Sequence, residues 1–206
     1  MNLNSNLKTG KLQEVLLQRE FDEQTNWCVI TGAPCSGKTS VLEWLRRQGF
    51  NCKNEIARIY IEREFRKGHS LEQIRGDEAT FQRGLIDAKL IVEMETSPNQ
   101  VTFFDRAIPD SITYYRVAGL NPNDVLPVCF HFRYGAVFIF DRLTLKQDGA
   151  RIEDDRTADF IDYWLEKDYS ALKYKVVRVP VMDVEERASF VLNKLKHGDA
   201  RLSLKS

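Results

Sequence analysis

The segment Gly32-Ala33-Pro34-Cys35-Ser36-Gly37-Lys38-Thr39 constrains this chain more than any other. It is a complete GxxxxGK[ST] pattern, directly after the apolar run Trp27 to Thr31 and directly before a helix-like run from Lys38 to Gln48. A glycine-bearing turn between a strand and a helix N-terminus aims successive backbone N–H groups at one point, and glycine permits the left-handed backbone and close approach that this needs. The pattern therefore calls for a nucleotide: residues Gly32 to Thr39, with Ser40 behind them, cradle the phosphates, Lys38 neutralises their charge and the Thr39 hydroxyl ligates Mg²⁺. Cys35 reads as a variable loop position rather than a redox switch.

Five short stretches rich in β-branched and aromatic residues alternate with longer helix-like segments: Trp27 to Thr31, Phe50 to Glu55, Val101 to Phe104, Ala136 to Phe140 and Lys175 to Val179. That rhythm predicts an α/β fold with a mostly parallel five-stranded sheet and helices on both faces. Asn51, Lys53 and Asn54 dilute the second stretch. Val41, Leu42 and Leu45 line one helical face that stops at Gly49, and Asp183 with Glu186 forms a capping-box variant ahead of the stripe Val184, Ala188, Val191, Leu192 and Leu195.

With 206 residues, the chain reads as one domain over 24–206, preceded by an extension over 1–23 with a candidate amphipathic helix through Leu12, Val15, Leu16 and Phe21. Two insertions at strand ends suit ligand-gripping covers, a long charged helical one over about 58–95 and a polar lid over about 143–156. Thirty Lys and Arg balance thirty Asp and Glu, so no net field favours nucleic acid or anionic lipid. The four cysteines form no CxxC pair and the three histidines stand apart, which disfavours zinc and a disulfide framework. The N-terminus lacks a signal-peptide core and no apolar run approaches the roughly 18 residues of a membrane span, so the cytoplasm is the expected compartment. The oligomeric state is left open.

Val101 to Asp105 is an apolar run ending in an acid, which suits Asp105 to hold Mg²⁺ through water or to take a proton from an attacking hydroxyl. Arg106 follows where enzymes that activate water for ATP hydrolysis commonly carry Glu, which favours transfer to a bound acceptor; an ordinary strand-end ion pair is the plain alternative. Glu55 and Arg58 stand three apart and suit an acceptor hydroxyl and its neighbouring charge, or a solvent-exposed pair. Asp141-Arg142 opens the polar lid, whose Arg151 and Arg156 suit the transferring charge and the nucleotide.

Taken together, GAPCSGKT, Glu55-Ile56-Ala57-Arg58, the run Phe103 to Tyr115, the strand and lid Tyr134 to Arg151, and YKVVRVP followed by Glu185-Glu186-Arg187 resemble the NadR-like P-loop ATPase and kinase family, which includes nicotinamide riboside kinase domains. The resemblance spans Trp27 to Leu195. It implies an adenylate-kinase-like P-loop NTPase fold, ATP and Mg²⁺ as ligands, and a kinase or ATPase whose acceptor varies between members. Ala107 replaces the glycine usual after Asp-Arg, and Lys89 stands where the resemblance places a glutamine. The reading is a kinase acting on a small-molecule hydroxyl, nucleoside-like or vitamin-like, with Lys38, Glu55, Asp105, Arg106 and Arg151 as its working side chains. Its rival is a regulatory ATPase that switches binding to a protein or lipid partner. Asn193-Lys194-Leu195-Lys196 lacks the final acid of a guanine reader, which favours adenine.

Overall fold

The computed structural model describes residues 9–143 and 152–197. Five strands, β1 (Trp27–Thr31), β2 (Asn51–Lys53), β3 (Thr102–Asp105), β4 (Ala136–Phe140) and β5 (Val176–Val179), form one sheet in the order β2-β3-β1-β4-β5. Every pairing in it is parallel. The main helices are α1 (Lys38–Arg47), α2 (Ile56–Arg66), α3 (Leu71–Arg75), α4 (Glu78–Met94), α5 (Asp110–Val117), α6 (Ile152–Ala171) and α7 (Val184–His197).

Side chains along a strand alternate between faces, and in β1 both faces are buried. Cys28 and Ile30 join Phe103, Phe138 and Phe140 under α1 and α7, with Leu45 and Val191 closing that core. Trp27 and Val29 join Phe104, Val137 and Ile139 on the other face, with Ile112 of α5 and Leu165 of α6. Continuous apolar strands are thus the sequence mark of a sheet covered twice. With β1 central, the loops leaving β1, β3 and β4 meet at the carboxyl edge, where open α/β sheets bind ligands.

Several boundaries differ from the sequence expectation. The second strand is only three residues long, because the polar residues that dilute it leave an edge strand held largely by Phe50 packing edge-on against Phe103 at 5.6 Å. The third runs one residue further, which brings Asp105 into the ladder opposite Ile30. Among the described residues of the N-terminal segment only Glu14–Leu17 is α-helical, and Val15 is 71% exposed. Leu12 is buried instead, Gln13 N–H donates to Asn123 Oδ1 at 2.8 Å, and Glu23–Gln24 pairs in parallel with Phe132–Arg133. Leu16, Leu17 and Phe21 pack, partly buried, against the same core, so apolar side chains and these tertiary bonds together fasten the segment. Among the described residues no helix is long and apolar enough to cross a membrane.

Candidate active site

The loop after β1 owes its course to residues with positive φ. Gly32 has φ +143°, and a Cβ there would lie 2.6 Å from the Phe140 carbonyl oxygen, so only glycine lets the loop pass the end of β4. Gly37 at φ +78° precedes α1, and Cys35 also takes the left-handed region at φ +61°. Pro34, Cys35, Thr39 and Ser40 are exposed, whereas Ala33, Ser36 and Lys38 are buried. Lys38 Nζ donates to Gly32 O, Ala33 O and Ser36 Oγ, each at 3.0 Å. Burial, reinforced by the nearby Arg106 guanidinium, pulls its ammonium down to about 8.

Arg187 of α7 braces the same loop. It is 2% exposed, and its guanidinium donates to three carbonyls: Ser36 O in the loop, Asp141 O at 2.9 Å and Pro180 O at 2.8 Å. In the sequence Arg187 stands only as the last residue of the Glu185-Glu186-Arg187 motif. Its signal was there, since a charge beside Ala188 on the apolar stripe of a terminal helix needs a buried partner.

Asp105 and Arg106 close the other side. Asp105 is 5% exposed, and its Oδ1 is buried with no hydrogen-bond partner among the described residues. Burial pushes its carboxyl up to about 6. Arg106 turns to φ +65° as the chain leaves β3, and its N–H donates to Ile30 O at 3.1 Å. Its Nε donates to Glu55 Oε1 at 3.0 Å, its Nη1 donates to Gly32 O at 3.1 Å, and Tyr114 lies beneath the guanidinium at 5.2 Å. One planar cation thus joins the carboxylate before α2 to the phosphate-loop backbone.

Two expectations for this region need correction. Glu55 does not pair with Arg58, which bonds Glu62 one turn along α2 at 3.1 Å, because the helix starts only at Ile56 and Glu55 points back toward β3. The strand-end pair of Asp105 with Arg106 is not made either; Arg106 instead faces Glu55 and, at 3.7 Å, Asp110. Asp110 was a missed residue. It is fully buried, accepts from the Thr31 hydroxyl, from Ala107 N–H at 2.9 Å and from the Tyr169 hydroxyl at 2.6 Å, and so ties α5 and α6 to the end of β1. Arg151 and most of the expected lid lie outside the described residues. Arg156 is exposed within α6, and Arg142 is bonded to Asp155.

A model of the AAA domain family matches residues 27–187. The chain belongs to that family. Solved structures like this AAA domain include NadR protein in complex with NR, with TM-score 0.60 and 15% identity over 88% of this chain and 53% of that one. Deoxyadenosine kinase from M. mycoides matches with TM-score 0.58 and 15% identity, over 82% of this chain and 98% of that one. Thymidylate kinase from Ehrlichia chaffeensis matches with TM-score 0.58 and 14% identity, over 84% and 99%. The AAA domain spans about half the length of the NadR chain. No curated protein matches it in sequence. The fold is therefore that of the P-loop kinases, a parallel sheet covered on both faces with the loop at its carboxyl edge.

Proposed function

We propose that this AAA domain is a kinase that transfers the γ-phosphoryl group of Mg-ATP to a hydroxyl of a small nucleoside-like or vitamin-like acceptor. The observation that carries the reading is the Glu55–Arg106–Gly32 chain of hydrogen bonds, which sets a partly exposed carboxylate, with 39% of its side chain open to solvent, beside the phosphate loop. Backbone N–H groups of Ala33 and of residues 35–39, with Lys38 Nζ, bind the phosphates. Glu55, oriented by Arg106, takes the proton of the acceptor hydroxyl; that oxygen bonds to the γ-phosphorus as the bond to the β,γ-bridging oxygen breaks, and ADP leaves. Asp105 is the other carboxylate that the sequence offers as the base. The buried, unpartnered Oδ1 of Asp105 suits a water of Mg²⁺ better, with Thr39 as the direct ligand. The metal would supply charge neutralisation across the β and γ phosphates. Val181 and Val184, 53% and 39% exposed just past β5, offer an apolar surface for the base. Among the described residues the cation nearest the acceptor side, Arg106, is already matched by Glu55, which favours a neutral acceptor over one that carries phosphate. Arg151 and Arg156 complete the reading as lid residues, and nucleotide and acceptor are its partners.

Acceptor-dependent ADP release, screened over nucleosides, vitamins and phosphoinositides, tests the reading. With an acceptor in hand, Glu55→Gln should lower turnover by about 10² or more, with ATP affinity unchanged by calorimetry. Asp105→Asn should chiefly raise the Mg²⁺ concentration needed for half-maximal rate. Parent-level transfer by Glu55→Gln removes the base from Glu55, and a screen in which no acceptor stimulates ADP release puts the regulatory ATPase in place of the kinase.

A further inference from the structure

The core-facing stripe of α4 carries three polar side chains, Gln82, Lys89 and Glu93, among Phe81, Leu85 and Ile86. A lysine and a glutamate buried one turn apart cost stability that two leucines would keep, so each must answer a particular polar need. Both answer the same one. Lys89 Nζ donates to Ala107 O at 3.0 Å and to Ser111 Oγ at 2.9 Å. Glu93 Oε1 accepts from Ile108 N–H at 3.4 Å and from the Tyr134 hydroxyl at 2.8 Å. Ala107 C=O and Ile108 N–H are the two ends of a single peptide unit. A cation holds its oxygen and a carboxyl holds its nitrogen, so the unit has only one acceptable orientation: flipped, it would set N–H against ammonium and C=O against the glutamate oxygen.

That peptide lies directly after Arg106, whose left-handed backbone at φ +65° is unfavourable for a residue with a side chain and persists only where its surroundings hold it. Two further N–H groups of the turn are also fixed, Arg106 N–H on Ile30 O at 3.1 Å and Ala107 N–H on Asp110 Oδ2 at 2.9 Å. We propose that Lys89 and Glu93 are positioning residues, a polarity-specific clamp on the Ala107–Ile108 peptide through which α4 holds the Arg106 guanidinium between Glu55 and the Gly32 carbonyl. The proposal rests on the kinase reading for its chemical meaning: α4 belongs to the helical insertion over the acceptor side, so the helix that meets the acceptor also sets the group that aligns the base.

The test uses the full chain and two substitutions. Lys89→Met keeps the length and removes the donor; Lys89→Gln keeps a donor without the charge. In the ¹H–¹⁵N spectrum the Arg106 Nε–H signal, identified by its loss in Arg106→Lys, reports the bond to Glu55. In Lys89→Met that proton should exchange with water about tenfold faster or more, while the amides of Cys28 and Val29 in β1 keep their protection. Lys89→Gln should restore the signal to within about threefold of the parent. With an acceptor from the screen, Lys89→Met should lower turnover about tenfold at an unchanged KM for ATP. An Nε–H signal unmoved in Lys89→Met overturns the proposal, as does equal loss of protection in β1, or failure of glutamine to restore it. If the parent phosphorylates no acceptor, the kinase reading falls on that result alone, and the spectra still decide whether Lys89 holds Arg106.

Discussion

Lys38 shows how position alters a side chain that a motif has already named. Three oxygen acceptors hold its ammonium against the loop, yet burial draws its proton affinity down to about 8. The protonated form is the one that attracts phosphate, so Mg-nucleotide affinity should be flat below pH 8 and fall as pH rises through it. Calorimetric titrations with Mg-ADP at pH 7 and pH 9 should differ severalfold for the parent, and Lys38→Ala should show only a weak, pH-independent remnant. The motif by itself names Lys38, Thr39 and the two glycines. It is silent on Asp110 and Arg187, because a lone charged residue in a sequence carries no mark of which carbonyl or hydroxyl it will meet. Lys89 was visible only as an unexpected residue; that it grips a peptide eighteen positions away depends on the packing of α4 against the turn after β3.

At the scale of elements, the site depends on how helices are pinned to the ends of strands. Helix α7 reaches the phosphate loop through Arg187, whose three carbonyl partners belong to three separate connections. Arg187→Met would keep most of the packing against Phe140 but orphan those carbonyls, each worth about 1 kcal/mol, so urea denaturation should show a loss of about 2–4 kcal/mol. Mg-ADP affinity should drop as well, since Ser36 O is part of the loop itself. A variant as stable as the parent with unchanged affinity would remove the bracing role. A buried charge pair, Arg116 with Asp168 at 2.8 Å, joins α5 to α6 on the opposite face, with Trp164 stacked on the guanidinium at 3.9 Å. Arg187 thus fastens a helix to the phosphate loop on one face of the sheet, and Arg116 with Asp168 fastens two helices to each other on the opposite face.

Across the whole molecule, buried carboxyls make stability depend on pH. Glu93 is pushed up to about 7 by burial, with Tyr134, Ile108 N–H, Lys89 and Asp110 around it, and Asp105 is pushed up to about 6. A carboxyl whose folded value lies above its unfolded one favours the fold while both states are protonated and loses that contribution as pH rises through the folded value. The unfolding free energy from urea titrations should therefore fall between about pH 4.5 and pH 7, by on the order of 2–3 kcal/mol, and Glu93→Gln should flatten most of that slope. A parent curve flat over this window would mean that Glu93 titrates normally. The sequence alone determined the α/β class, the five strands and the phosphate loop, because these follow from local signals: apolar runs, helical spacing, and glycines where the backbone must turn left-handed. Membership of the family was legible for the same reason, in motifs short enough to read along the chain. Only the tertiary structure decided that Glu55 pairs with Arg106 rather than Arg58, that Asp105 keeps a buried oxygen free, and that α4 and α7 clamp the turns on either side of the site. Those contacts join residues up to 151 positions apart, and their energies come from desolvated charges whose partners exist only once the sheet has formed.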